Sequence, residues 1–293
     1  MFIIKGIHIL NPAAGKGRAL YLAECAPTDS NSYITKGIGD AERFAYEQSL
    51  AEKELAFVVC GGDGTLNEVI NGVMRAKTNN TTEISMVATG SGNDFVRNFN
   101  EKGIKTKIDL MKYNGRYAVN VINTGFDSQV VIKMSKYRRI PLVSGSLSYI
   151  LAVAEVFFKR IGKRYVITLT DTNGELEILD GMFLSVVVAN GSYYGGGFKA
   201  APLASLNDGL IDVIMIKKVG RLTFLKLVSS YQKGTHMDPE TGQLIDKFDS
   251  YLTYRQCTNI KIKGMTEFAA DGEIEHVNEI EVSIVPEAIN FVS

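Results

Sequence analysis

The sequence predicts α/β plus all-β architecture: a doubly wound α/β domain, then an antiparallel β-sandwich, with the site in the cleft between them. Through residue 116, short apolar strands alternate with helical stretches, the rhythm of a parallel sheet. Glycine-rich loops follow three of those strands, at the ends where such sheets bind ligands. From residue 117, β-branched runs parted by turns take over, as in an antiparallel domain. The domains read as 1–116 and 117–285, with 286–293 returning to complete the first.

Residues 2–10 form an apolar strand leading into NPAAGKG at 11–17, with a helix opening at Arg18. SYIT at 32–35 is a second strand, and the stretch after it carries apolar residues at helical spacing. A strand at 57–60, a helix at 66–76 and a strand at 84–89 follow, before GSGNDF at 90–95 opens another short helix. In the second domain YAVNVINTG, RYVITLT, ELEILDGMFLSVVVANG, GLIDVIMIK, TNIKIKG and EIEVSIV read as strands, with one helical interruption near 146–160.

With 45% hydrophobic and 22% charged residues, the 293-residue chain has the composition of a globular protein large enough for two domains. Zero formal net charge leaves no global field to recruit nucleic acid, so no nucleic-acid partner is expected and any membrane contact must be local. Cys25, Cys60 and Cys257 form neither a metal pattern nor a disulfide framework, which fits a reducing cytoplasm. The apolar N-terminus lacks a basic segment and a cleavage site, and reads as a strand, not a signal peptide. His236 reads as a loop or surface residue.

FVVCGGDGTLNE at 57–68 is the most informative stretch. Gly61, Gly62 and Gly64 let a ligand approach the backbone, and the amides opening the next helix suit a phosphate. Asp63 cannot hold that phosphate directly, since two anions repel; it suits a magnesium ion or a proton. The plainer alternative is a strand-to-helix turn with an Asp cap. Neither the P-loop spacing nor GxGxxG is present. Taken alone, AADGE at 269–273 reads as a hairpin turn. Its carboxylates, Asp271 and Glu273, would face the same way only in an extended segment. LNDGLIDV at 206–213 is likewise a turn before a strand.

Lys133, Lys136, Arg138 and Arg139 precede the run LSYILAVAEVFF, and Lys159, Arg160, Lys163 and Arg164 follow it, with Glu155 the single acid. The run is too short to span a bilayer. Segment 131–165 therefore reads as a peripheral contact with anionic headgroups, or as a core helix with solvated basic ends.

As a set, NPAAGKG, GGDGTLNE, ATGSGNDF, NGSYYGGG (190–197), LNDGLIDV and AADGE resemble the diacylglycerol kinase catalytic family, in its soluble bacterial lipid-kinase branch. The resemblance covers nearly the whole chain. It implies ATP and Mg²⁺ as cofactors and a lipid hydroxyl at the membrane surface as acceptor, most simply diacylglycerol giving phosphatidic acid. Asn11, Pro12, Ala13, Ala14 and Gly15 would lie against the nucleotide, with Lys16 near the phosphates and Thr35 on ATP. Gly62, Asp63, Gly64, Thr65, Leu66, Asn67 and Glu68 would form the main nucleotide loop. Ser91 stands where many relatives have threonine, while Ala88 and Gly92 depart from a common proline and alanine. Asp63 and Asp94 would share a water and magnesium network. Glu273 aligns with the general base and Asp271 with its support, as phosphoryl transfer requires. A structural magnesium would take the Asp208 carboxylate and the carbonyls of Ser205 and Leu210. A homodimer and a place at the inner face of the membrane are also implied. Two rivals stay open: a kinase of the NAD kinase or phosphofructokinase kind, which shares a GGDG loop, and a lipid-binding regulator without catalysis. The NDF motif and the long β domain favour the lipid reading over the first, and four retained carboxylates weigh against the second.

Overall fold

The computed structural model describes residues 5–17, 31–52, 54–77, 81–90, 92–137, 140, 145–158 and 162–293. The helix expected from Arg18 lies outside these residues, as do Cys25, Ser91, Arg138, Arg139, Lys159, Arg160 and the side chain of Lys16.

Strands β1 (Lys5–Leu10), β2 (Asn31–Ile34), β3 (Glu54–Gly61) and β4 (Thr81–Ala88) pair in parallel in the order β2-β1-β3-β4. Helix α1 (Asp40–Ala51) packs on α2 (Asp63–Ala76). The second of these starts three residues earlier than its apolar periodicity announces, so the Asp63 backbone belongs to its first turn. Phe57, Leu66, Ile70, Ile84 and Phe291 share this domain's buried core. Burying a large apolar side chain contributes about 1.5–3 kcal/mol, so such a core offsets the cost of glycine-rich loops at its rim.

Strand β5 (Lys105–Tyr113) runs from the first core, which takes Ile108 and Leu110, into the second domain, which holds β6 (Arg116–Ala118), β7 (Val121–Gly125), β8 (Lys163–Thr170), β9 (Leu176–Ala189) and β10 (Ile211–Lys217). It continues with β11 (Leu252–Cys257), β12 (Asn259–Lys263), β13 (Phe268–Ala270), β14 (Glu273–Glu275) and β15 (Glu279–Val292). Its strands pair antiparallel and fold over a core that includes Ile122, Tyr165, Val186, Val213, Ile260 and Phe268. The last strand joins the two domains. Its first half pairs with β12 and β5, and Asn290, Phe291 and Val292 then pair in parallel with β4. Between Val285 and Ile289 the register shifts, with Glu287 left-handed at φ 49° and its amide donating to Asp109 Oδ1 at 2.7 Å.

The single expected helix is corrected to three among the described residues: α3 (Phe126–Tyr137), α4 (Gly145–Phe158) and α5 (Arg221–Lys233). Phe126, Val130, Met134 and Tyr137 make one apolar face on α3, which packs on α4. Helical spacing is present there, but the run QVVI disguises it as a strand. His236 is fully buried, not at the surface: its Nε2 lies 3.0 Å from the Ala200 carbonyl, and burial lowers its pKa.

Candidate active site

The loops after β1, β2, β3 and β4 meet at one end of the parallel sheet. Asn11 donates from its amide to the Cys60 carbonyl at 3.0 Å and from Nδ2 to Thr65 Oγ1 at 2.9 Å. Its own Oδ1 accepts the Ala13 amide, so the segment Asn11–Gly15 is shaped by Asn11. Thr35, buried at the end of β2, donates its amide to Leu10. The loops after β3 and β4 touch backbone to backbone. A methyl group built on Gly90 would lie 2.6 Å from the Gly62 Cα, a separation that no side chain tolerates.

No side-chain hydrogen bond caps α2, so Asp63 is not the cap of the helix it opens; it caps a different turn. Its Oδ2 accepts the Asp94 amide at 3.0 Å and its Oδ1 the Phe95 amide at 3.2 Å, fixing the short turn Phe95–Asn98. Asp94 accepts the Gly196 amide at 2.7 Å and stands 3.6 Å from Arg97 Nε, while its buried Oδ1 has no hydrogen-bond partner. A methyl group on Gly92 would lie 3.2 Å from Asp63 Oδ2 and 3.5 Å from Asp94 Oδ2, so both carboxylates converge there. Burial raises the Asp94 pKa, and the charge of Asp63 adds to that rise. Two converging carboxylates fit a divalent cation with its waters, while the Asp94 oxygen without a hydrogen bond faces the Arg97 guanidinium.

The rest of the expected nucleotide loop turns away. Leu66 is core. Glu68 accepts the amides of Gly39 at 2.9 Å and Ala41 at 3.1 Å, capping α1 from α2. Asn67 donates to the Tyr117 carbonyl at 3.0 Å and to Asp271 Oδ2 at 2.8 Å, tying the two domains together.

The DGE segment is the tight hairpin that its residues suggest when read alone. Ala270 pairs with Glu273, and both turn residues have positive φ, 45° at Asp271 and 91° at Gly272. The extended arrangement that would aim both carboxylates alike is therefore absent. Asp271 accepts four bonds: from Asn67 Nδ2, and from the amides of Val119 at 2.7 Å and of Asn120 and Val121 at 3.0 Å each. Burial pushes this carboxyl's pKa up, and the four donors pull it the other way. Glu273 is exposed. Of the two, it is the one whose carboxylate stands open to an incoming hydroxyl.

At LNDG, Asp208 Oδ1 accepts the Leu210 amide at 3.0 Å and Ser205 Oγ donates to Asn207. Nearby Asp109, not singled out in the sequence, accepts Gly209 at 2.7 Å. Its signal was slight, one acid inside a strand. Among the described residues no cluster of three His, Cys, Asp or Glu side chains is set to hold a metal ion. A cation here would rest on Asp208 and carbonyl oxygens.

A cavity of about 360 Å³ opens between α4, α5 and β9, walled by Phe126, Phe157, Phe198, Leu184, Phe224 and Leu225. Of the four basic side chains described in the segment beside it, three are paired. Lys133 pairs with Glu155 at 2.8 Å, Lys163 with Glu267 at 3.2 Å and Arg164 with Asp180 at 2.7 Å. What lies open instead is apolar: Leu147, Leu151, Phe158, Leu222 and Leu225 are exposed, Leu222 by 77%. No described helix is long and apolar enough to cross a membrane.

Two carboxylates converge at the end of a parallel sheet, and the loop bonded to one of them borders the apolar cavity, an arrangement suited to a phosphotransferase with an apolar acceptor. Residues 5–124 match the family described as diacylglycerol kinase catalytic domain, and residues 120–293 that described as YegS C-terminal NAD kinase beta sandwich-like domain. The chain belongs to the diacylglycerol kinase catalytic family and is a lipid kinase. It is 26% identical to the diacylglycerol kinase of Bacillus subtilis (strain 168) over 278 residues, covering 87% of this chain and 84% of that one. Against the diacylglycerol kinase of Staphylococcus epidermidis (strain ATCC 35984) it is 27% identical over 247 residues, covering 78% and 75%. A crystal structure of a diacylglycerol kinase from Bacillus anthracis (strain Sterne) superposes with a TM-score of 0.68 at 19% identity, covering 100% of this chain and 98% of that one, and so shares the fold. The β domain alone does not separate lipid from NAD kinases, since its family description names the latter; the match over 5–124 does.

Proposed function

We propose that the chain transfers the γ-phosphoryl group of ATP to the hydroxyl of diacylglycerol, giving phosphatidic acid. One observation carries this reading. The loop 190–197 contacts Asp94 through the Gly196 amide and presents Tyr194 to the apolar cavity, so polar and apolar compartments share one wall. The amides of the glycine loops, with Asn11 and Thr65, would hold the phosphates of ATP. Asp63 and Asp94 would hold Mg²⁺, which supplies neutralisation of the phosphate charge. Glu273 would take the hydroxyl's proton, and Asp271 would fix the hairpin that carries it. Incubation with ATP, Mg²⁺ and a total lipid extract, with NAD as a parallel acceptor, tests the proposal. Labelled phosphatidic acid supports it, and phosphorylated NAD or a different lipid overturns it.

The lipid would be met at the membrane surface through the outer apolar face of α4 and α5. Replacing Leu151 and Leu222, neither of which lines the cavity, with Ser together will weaken binding to anionic vesicles by about tenfold or more, from the lost apolar area. Turnover of a detergent-dispersed lipid will stay unchanged. Vesicle co-sedimentation checks this, and unchanged partitioning would leave the face as plain surface.

Asp208→Ala will reduce the Mg²⁺-dependent part of thermal stability, because a bound cation stabilises the state that binds it and only the site at Asp63 and Asp94 would remain. Melting with Mg²⁺ and with chelator decides. Identical metal dependence in both proteins would reduce the segment to a turn.

A further inference from the structure

Asn98 ends the short turn whose opening amides Asp63 holds, and its side chain reaches out of the first domain. Its Oδ1 accepts the Ser192 amide at 2.7 Å, and its Nδ2 donates to the Phe95 carbonyl at 2.8 Å and to Asn120 Oδ1 at 3.4 Å. Asn120 is buried, and each of its polar groups is bonded. Its backbone amide donates to Asp271 Oδ1 at 3.0 Å, its carbonyl accepts the amides of Asn190 and Gly191, and its Nδ2 donates to the Tyr193 carbonyl. The fit leaves no slack. A methyl group built on Gly191 would lie 2.0 Å from Asn120 Oδ1 and 2.9 Å from Asn98 Nδ2. Two amide side chains thus join three pieces from distant parts of the chain. These are the turn beside Asp94, the hairpin that carries Glu273, and the loop 190–197, which bonds Asp94 through Gly196 and lines the cavity with Tyr194.

We propose that Asn98 and Asn120 are positioning residues whose joint sets the acceptor hydroxyl against the γ-phosphorus, and so decides whether the phosphoryl group passes to lipid or to water. The inference rests on the lipid-kinase reading. In both reactions an oxygen bonds to the γ-phosphorus, the bond from that phosphorus to the β,γ-bridging oxygen breaks, and ADP leaves with the electron pair. In the productive one the oxygen is the lipid's and Glu273 takes its proton. In the other it belongs to water, and inorganic phosphate results. Water diffuses to the phosphate unaided, whereas a lipid held in a separate cavity is aligned only by the structure between. Attack requires reacting atoms about 3–3.5 Å apart, and a misplacement of about 1 Å can cost on the order of 100-fold in rate. Both asparagines act through the backbone they hold, not by touching substrate.

The test compares the wild type with Asn98→Ala and with Asn120→Asp, an isostere that loses the donor to Tyr193 and serves should the alanine variant fail to fold. With ATP, Mg²⁺ and detergent-dispersed diacylglycerol, Asn98→Ala will lower kcat by on the order of 10- to 100-fold with little change in the lipid KM, since the cavity keeps its side chains. In both variants the ratio of lipid phosphorylation to lipid-free ATP hydrolysis will fall with it. A second readout needs neither nucleotide nor lipid. In hydrogen exchange the Ser192 amide of Asn98→Ala will exchange about tenfold faster, the equivalent of one lost hydrogen bond. The proposal is overturned if lipid turnover and hydrolysis fall together, if lipid turnover is unchanged, or if Ser192 exchanges as in the wild type. A wild type that leaves diacylglycerol untouched would overturn the acceptor assignment instead, and the ratio is then read on the lipid that it labels in a total extract.

Discussion

Asp63→Asn will lower kcat by on the order of 10³-fold while the melting curve moves little. The carboxylate caps Phe95–Asn98 through two amides and converges with Asp94 on Gly92. Asparagine keeps one acceptor oxygen and the side-chain volume, so the loss to folding is about 1 kcal/mol. It removes the charge, and transition-state stabilisation by a bound metal or a fixed electrostatic group is worth several kcal/mol. Alanine would be the poorer test, since it also unties the turn. The measurement is kcat at saturating ATP beside a thermal melt. A fully active Asp63→Asn variant would reduce Asp63 to its capping role.

The DGE hairpin should separate stability from chemistry. Asp271→Asn will destabilise the protein by about 2–4 kcal/mol, because an amide NH₂ must replace one oxygen of a carboxylate that faces four donors. Glu273→Gln will leave the melting temperature in place and lower kcat by about 10²–10⁴, the usual cost of a lost general base. The lower end applies if proton removal lags in a loose transition state. Chemical denaturation and single-turnover phosphorylation of both variants give the comparison. Should Glu273→Gln turn over normally, the proton acceptor lies elsewhere. Should Asp271→Asn be as stable as wild type, the hairpin does not depend on its four bonds.

How much of this was legible varied with the kind of information each element carries. The parallel strands announced themselves through apolar runs, and the loops through their glycines. By contrast β5, KTKIDLMKY, hides its buried stretch Ile108–Met111 between lysines, and α3 carries β-branched residues on helical spacing. At the site, motif membership gathered Asn11, Asp63, Thr65 and Asp94 at one place, but it gave no direction to a side chain. Glu68 and Asn67 stand in the same motif as Asp63, yet helical rotation turns one to cap α1 and the other to the domain seam.

Strand β15 imposes an order on biosynthesis. Asn290, Phe291 and Val292 occupy the edge of β4, and Phe291 stacks on Phe99 within the first domain's core. The parallel sheet therefore stays incomplete until residues 290–292 have been made. Pairing across some 200 positions is slow, because closing so long a loop must precede any gain from the contact. Domains usually fold in turn as a chain emerges from the ribosome, but here the first waits on the second. During that interval β4 presents an open edge to any other strand. Residues 1–116 made alone would keep that edge for good, and would aggregate where the full-length chain folds.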